Sequence, residues 1–226
     1  MEGVAMFNYQ GSADDELSFQ AANVLKIISF QEDRNWFKAE LNGQIGFVPK
    51  NYIQMRDNYW YMGNMTRMEA ERFLLNDNSP YRFGEGSFIV RDSESNPHSF
   101  ALSVRWYNSA ENAHAVQHYR ILMNNESKYL LWIVQFNSIN ELVAYHRNTS
   151  VARTQNLVLR DSIQKDRLRS VRAIHRFQPD EPGEIGFDRQ DEILVIDDSD
   201  EHWWRGRTTK DENFNIGIFP KNYVRE

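Results

Sequence analysis

Gly46-Phe47-Val48-Pro49-Lys50-Asn51-Tyr52-Ile53 returns near the other end of the chain as Gly217-Ile218-Phe219-Pro220-Lys221-Asn222-Tyr223-Val224. The echo extends upstream. Asp15-Glu16-Leu17-Ser18-Phe19 and Asn35-Trp36-Phe37 are answered by Gly183-Glu184-Ile185-Gly186-Phe187 and His202-Trp203-Trp204. Glu16 precedes Trp36 by 20 positions, and Glu184 precedes Trp203 by 19. A duplicate at fixed spacing means two copies of one folded unit. The stretch between them has no such echo, so the 226 residues divide into three domains, at 1–56, 58–158 and 168–226.

Both end segments read as all-β. Val24–Ile28 and Ile193–Ile196 are short β-branched runs bounded by polar residues. Asn42-Gly43 is a hairpin turn signal between Phe37–Leu41 and Ile45–Val48. The second copy has a longer polar stretch there, Thr208 to Asn215. Trp36 to Pro49 is 13 positions, against 17 for Trp203 to Pro220. Extra residues in a surface hairpin cost little stability. Short strands with frequent turns predict a small closed barrel at each end. Domains near 60 residues need large side chains in the core, and 13% aromatic content supplies them.

The middle segment mixes periods. Thr66-Arg67-Met68-Glu69 has the form of a helix N-cap, with Met68, Phe73, Leu74 and Leu75 expected on one buried face. Ser87–Arg91, Ser99–Val104, Val116–Leu122 and Tyr129–Val134 read as strands. Ser138–His146 reads as a second helix capped by Ser138. Helix, antiparallel strands, helix is an α+β order. The linkers are short: Gln54–Tyr59, and Arg160–Ser170, which is either helical or extended.

Composition excludes several classes. The chain has no cysteine, hence no disulfide, thiolate metal site or cysteine nucleophile. No apolar run approaches the ~18 residues of a membrane span. Met1-Glu2-Gly3-Val4 has neither the layout of a secretory signal nor glycine after Met1 for myristoylation. A soluble, intracellular protein is expected. Residues 1–56 carry seven acids against five bases, 57–158 ten against nine, and 159–226 fifteen against twelve. No domain is basic, which argues against nucleic acid as a partner. The acidic runs Asp14–Glu16 and Asp197–Glu201 are either solvated loops or attractors for a basic ligand. His114 and His118 have the H-x-x-x-H spacing of a zinc helix. Ala115 stands where such a site needs glutamate, however, and the flanks look like strand. No metal site, cofactor or catalytic residue is expected, because the nucleotide loop, kinase loop and nucleophile elbow motifs are all missing.

The aromatic clusters of the two ends suit a polyproline II helix, whose faces repeat every third residue and which binds already ordered. Ala5-Met6-Phe7-Asn8-Tyr9 together with the first-copy motifs resembles a Src-homology 3 (SH3) domain. The resemblance implies a proline groove of Phe7, Tyr9, Trp36, Pro49, Asn51 and Tyr52, with Asp15 and Glu16 pairing a basic residue of the peptide. Phe7 stands where the family usually has Tyr. In the second copy the resemblance implies His175, Phe177, Trp203, Pro220, Asn222 and Tyr223, with Glu181 and Glu184 as acids. There His175 replaces a groove aromatic and Arg176 an acid, so this groove is expected to bind ordinary Pro-x-x-Pro peptides more weakly or to prefer another ligand.

Trp60-Tyr61-Met62-Gly63, Arg67, Gly86-Ser87-Phe88-Ile89-Val90-Arg91-Asp92-Ser93-Glu94-Ser95, Phe100–Val104, His118-Tyr119 and Leu142–His146 resemble a Src-homology 2 (SH2) domain. A phosphotyrosine carries about two negative charges on three acceptor oxygens, which a guanidinium grips in parallel. The resemblance gives that role to Arg91, with Arg67, Ser93 and Ser95 assisting and His118 and Arg120 along the ligand's path. Ala101 stands where relatives carry Ser. Leu131 and Trp132 match a subgroup in which a bulky Trp turns the peptide, favouring Asn two residues after phosphotyrosine; plain core is the alternative for Trp132.

The expected fold class is therefore two small all-β SH3-like barrels flanking one α+β SH2 domain. The order resembles the growth-factor-receptor-bound adaptor family, which links tyrosine kinase receptors to a Ras guanine-nucleotide exchange factor. It implies a non-catalytic cytoplasmic adaptor recruited to tyrosine-phosphorylated receptors or scaffolds, holding proline-rich effectors, without direct membrane insertion. A nuclear pool and a homodimer stay open. The alternatives are an autoinhibited regulatory subunit and a phosphotyrosine-independent scaffold. The likeness is loosest at 105–115, where Tyr107 to Ala115 reads as extra residues.

Overall fold

Alternation of inward and outward side chains builds the first barrel. Phe37 and Ala39 of Trp36–Leu41 are fully buried, while their neighbours are half-exposed. The computed structural model describes residues 1–29, 35–56, 58–79, 81–95, 99–163, 168–181, 183–210 and 216–226. Strands β1 (Glu2–Ala5), β2 (Val24–Ser29), β3 (Trp36–Leu41), β4 (Gln44–Pro49) and β5 (Ile53–Met55) form an antiparallel sheet in the order β4-β3-β2-β1-β5. Asn42 (φ 53°) and Gly43 (φ 84°) are both left-handed, as a two-residue hairpin turn requires, and Glu40 Oε1 accepts the Gly43 N–H at 2.8 Å. Gln54 pairs with Val4, so the barrel continues through Met55 and the linker begins later than the sequence suggests.

The middle segment contains α1 (Arg67–Leu74), β6 (Phe88–Asp92), β7 (Phe100–Asn108), β8 (Ala113–Met123), β9 (Tyr129–Leu131), β10 (Val134–Phe136) and α2 (Ile139–His146). Thr66 caps α1 with the expected capping box, and Ser138 caps α2 by accepting the Glu141 N–H at 3.0 Å. Two expectations are corrected. Ala70, Phe73 and Leu74 form the buried face of α1, but Met68 is 79% exposed. Phe73 is five positions after Met68, about 140° around the helix, so the two cannot share a face. Leu75 lies beyond the last helical residue as its cap and is partly exposed. Tyr129–Val134 is also not one strand. Trp132 adopts φ 60°, and the chain folds back so that Val134 pairs with Leu131. The extra residues around Tyr107 lengthen the β7–β8 ladder, pairing Tyr107 with His114 and Asn108 with Ala113.

The last barrel repeats the first. Strands β11 (Arg169–Ala173), β12 (Glu192–Asp197), β13 (Trp203–Thr208), β14 (Gly217–Pro220) and β15 (Val224–Arg225) run in the order β14-β13-β12-β11-β15. Even the register shift in β2 between Ile27 and Ser29 recurs in β12 between Val195 and Asp197. Residues 211–215 of the long Thr208–Asn215 stretch lie outside the described residues, as do 164–167 of the expected second linker. At the ends of that linker Arg160 bridges to Ser87 and Ser170 belongs to β11.

By backbone packing the chain forms two compact units, residues 1–58 with 122–145, and residues 59–121 with 146–226. Strand β8 passes from the second into the first at Leu122. In the first, Leu25, Ile27, Phe37, Val48 and Ile53 are buried in the barrel. The Lys26 ammonium lies 4.7 Å from the centre of the Tyr129 ring, and Ser138 Oγ donates to Glu2. In the second, the last barrel has its own core around Val171, Ile193, Trp204 and Phe219. A second cluster joins Met62, Met65, Phe73, Tyr81 and Ile89 to Ile196 and Ile216 of that barrel.

The glycine that opens the repeated motif has a packing reason. Glu16 bridges to Phe47 and Glu184 to Ile218, bringing the acidic loop of each barrel against its fourth strand. A Cβ on Gly46 would sit 2.8 Å from the Asp15 carbonyl, and one on Gly217 only 2.2 Å from the Gly183 carbonyl. Both contacts are with backbone. Gly46→Ala and Gly217→Ala should each destabilise the protein by about 1–3 kcal/mol, as overpacking does. Gly217→Ala should be the worse; denaturant melts monitored by tryptophan fluorescence would measure both.

Candidate functional site

In the first barrel the predicted groove residues converge. Tyr9 sits edge-on to Trp36 at 6.1 Å and to Tyr52 at 5.6 Å between ring centres, and Phe7 meets Tyr52 at 5.4 Å. Phe7 is 55% exposed, and Tyr9, Trp36 and Tyr52 are half-buried. Pro49 packs beneath as a buried residue and Asn51 is exposed beside Tyr52. The acids behave differently from each other. Asp15 is exposed, but Glu16 is committed to its own loop. Its Oε2 accepts the Ser12 N–H at 2.6 Å, the Tyr9 hydroxyl at 2.7 Å and the Ala13 N–H at 3.3 Å. The Ser12 amide, then the Tyr9 hydroxyl, hold the Glu16 carboxyl below its ordinary pKa, and the same carboxylate pushes the Tyr9 phenol up to about 12.

The second barrel reproduces the rings one for one. Phe177 lies 6.0 Å from Trp203 and 5.6 Å from Tyr223, and His175 meets Tyr223 at 5.6 Å, edge-on as Phe7 meets Tyr52. A groove of about 810 Å³ is lined by Phe177, Trp203, Pro220, Asn222 and Tyr223, with Glu201 and Glu226 also on its wall. Glu184 braces its loop through the Asp180 and Glu181 amides at 2.8 and 3.2 Å. Phe177 has no hydroxyl to add to that brace. Glu181 is exposed, and Arg176 pairs with Asp188 at 3.2 Å.

In the middle segment Arg91 ends an apolar strand and is only 4% exposed. A buried guanidinium needs acceptors, and it has them. Nε donates to Ser103 Oγ at 3.4 Å, and Nη1 donates to the Asp92 carbonyl and Glu94 Oε2, both at 3.3 Å. Glu94 Oε2 also accepts the Arg67 N–H at 2.7 Å. That carboxylate oxygen therefore rests where two donors converge, as an oxygen of a phosphate would. The Arg67 side chain bonds Glu71 at 3.2 Å, and Glu71 bonds His118 Nε2 at 3.0 Å. His118 Nδ1 is 2.8 Å from Ser103 Oγ. Register places Arg91, Ala101 and Arg120 directly opposite one another across β6, β7 and β8, hence on one face. Ser93 and Ser95 follow in the next loop with their hydroxyls 3.4 Å apart.

Ser103, Glu71 and Glu94 are missing from the sequence prediction. Only the period of two through Ala101 points to Ser103. His114 and His118 lie on strand β8, not on a helix. Leu131 is buried, whereas Trp132 is 46% exposed at the turn between β9 and β10, which excludes the core alternative.

The histidine has a pH consequence. Burial pushes the His118 imidazole below its ordinary 6.5, with the Glu71 bond opposing. Burial also works against the Glu71 carboxylate, but hydrogen bonds from His118 and Arg67 outweigh it and lower its pKa. The unfolded chain takes up the histidine proton near 6.5 and the folded chain only at lower pH. The neutral imidazole's contribution to stability is thus complete above 6.5 and declines as pH falls below it. His118→Gln should flatten this part of the stability profile; urea midpoints measured between pH 7.5 and 5 would show it.

Two family models match the chain. The SH2 domain model matches residues 60–146, and the SH3 domain model matches residues 4–50 and 172–221. The solved structure of "CED-2" is similar at 22% sequence identity, with a TM-score of 0.48 over 74% of this chain and 94% of that one. The two family models cover the Arg91 pocket and each groove as far as Lys50 and Lys221, in the order the repeat dictates, and the chain is an adaptor of SH3–SH2–SH3 architecture that binds phosphotyrosine and proline-rich peptides.

Proposed function

We propose that the protein is a non-catalytic tether of the growth-factor-receptor-bound kind. Its middle domain, at about 58–158, captures tyrosine-phosphorylated receptors or scaffolds. The end domains, at 1–56 and 168–226, hold proline-rich effectors such as a Ras guanine-nucleotide exchange factor. Tethering raises effective concentration without chemistry. The protein acts in the cytoplasm at activated receptors; among the described residues no helix is long and apolar enough to cross a membrane.

One observation carries the reading: a guanidinium buried at a strand end, with Glu94 and the Arg67 amide converging beside it. Arg67, Arg91 and Arg120 supply cationic donors and Ser93 and Ser95 hydroxyl donors for a dianionic ester, while His118, neutral between Ser103 and Glu71, lies along the ligand's path. Ala101 offers no hydroxyl, a loss of about 1 kcal/mol. A Trp132 exposed on a left-handed turn supports a bent ligand, pTyr-x-Asn. Arg91→Lys keeps the charge but loses the bidentate fork. It should nearly abolish phosphopeptide binding in a calorimetric titration and leave proline-peptide binding intact. Retained phosphopeptide affinity would refute the reading.

The two grooves have separate assignments. The first takes Pro-x-x-Pro ligands with a basic residue paired to Asp15. The second, with His175 at its end and Glu181 and Glu184 on its loop, binds such ligands more weakly. In the full chain, Trp36→Lys leaves the second groove and Trp203→Lys the first. Titrating both variants with one proline-arginine peptide should give the tighter constant for Trp203→Lys, and equal constants would defeat the assignment.

A further inference from the structure

One carboxylate ties the last barrel to the first turn of helix α1. Glu69 is the third residue of α1 and closes its capping box, Oε2 accepting the Thr66 N–H at 2.7 Å while Thr66 Oγ1 accepts the Glu69 N–H at 3.2 Å. Its other oxygen, Oε1, accepts from Arg205 Nη2 of β13 at 3.1 Å. Arg205 is 6% exposed, and its Nη1 has no hydrogen-bond partner among the described residues. Glu69 is thus its hydrogen-bonded counter-charge, with the Asp197 carboxylate also acting on it. Burial opposes the charge of Glu69, but the Thr66 bonds and Arg205 overcome it and hold the carboxyl below its ordinary pKa.

The surroundings leave this pair little freedom. The Tyr81 hydroxyl donates to the Ile196 carbonyl at 2.7 Å. Arg207 Nη2 donates to Tyr59 Oη at 2.8 Å, with the guanidinium 4.6 Å from the ring centre. A Cβ on Gly183 would lie 2.0 Å from the Asn64 amide, so the barrel backbone is pressed against the loop leading into α1.

Glu69 sets the start of α1, and Arg67 is the first residue of that helix, with its backbone N–H aimed into the pocket. We infer that Arg205 is a positioning residue for phosphotyrosine recognition: by holding the Glu69 carboxylate it fixes the first turn of α1, and with it both donors of Arg67. Arg205 touches no ligand, and its side chain is not among those lining the second groove. The inference rests on the phosphotyrosine reading of the pocket.

The test uses the full chain, a phosphotyrosine peptide, its unphosphorylated twin and a proline-arginine peptide. Arg205→Met keeps the bulk but leaves the Glu69 carboxylate without its cation, so a urea melt accompanies the titrations to show that the variant is folded. It should lower phosphopeptide affinity about five-fold, the scale of a weakened helix cap. Proline-peptide affinity in the Trp36→Lys background should be unchanged, and Arg205→Lys should recover most of the loss. Wild-type phosphopeptide affinity in Arg205→Met would overturn the proposal, as would an equal loss at the second groove, which marks general destabilisation. Failure of the unaltered chain to prefer the phosphorylated peptide would overturn the pocket reading and the proposal together, and would be seen before any variant is made.

Discussion

A guanidinium taken out of water at the end of strand β6 sets the terms for everything around it. Arg91 cannot be left without acceptors at that depth, because an unpaired buried charge costs several kcal/mol. The fold answers from three directions: a hydroxyl from β7, a carbonyl from its own strand, and a carboxylate from the following loop. That carboxylate is shared with the first amide of α1, and Glu71 of the same helix ties Arg67 to His118 on β8. Helix and sheet are thus joined by charge as well as by the packing of Phe73 and Leu74. A dianion that took the place of the Glu94 carboxylate would exchange one acceptor for several. Binding energy is then a difference between two satisfied states, not the filling of an unsatisfied one.

The grooves were more legible in the sequence than the pocket. Their rings come from short segments repeated in order, so Phe7, Tyr9, Trp36 and Tyr52 could be matched to His175, Phe177, Trp203 and Tyr223 before any coordinates. The centroid distances then agree to within about 0.2 Å. The pocket draws on residues far apart in the chain. Arg91 announced itself as a charge in an apolar run, but Glu71, Glu94 and Ser103 looked like ordinary surface or strand residues. Their roles exist only once α1 lies over the sheet. Met68 is hydrophobic but out of helical phase with Ala70, Phe73 and Leu74, and so faces solvent. The break at Trp132 had no glycine or asparagine to signal it. Ile196 and Ile216 read as plain strand residues, and nothing local says which neighbour they meet.

The two barrels also show how a fold tolerates divergence. Tyr9 serves twice, as a groove wall and as a hydroxyl bracing Glu16. Its counterpart Phe177 keeps the wall and gives up the brace, and Glu184 is held by the amides of Asp180 and Glu181. The loop keeps its course because Gly217 still allows the close approach that Gly46 allows in the first copy. Shape is preserved by the glycine and the rings, while the polar lining drifts. Ligand preference can then change in one copy without cost to the fold of either.

The apolar seam of Ile196 and Ile216 against Met62, Met65 and Tyr81 has a consequence for how such a protein evolves. Domains strung on flexible linkers can be shuffled, duplicated or exchanged, since each is complete alone. Here the last barrel could not be replaced by another of the same family without exposing those isoleucines and leaving Glu69 without its cation. The residues of the seam must change in pairs. The gene reads as three interchangeable parts, but selection meets the last barrel and the part of the middle segment packed on it as a single heritable object.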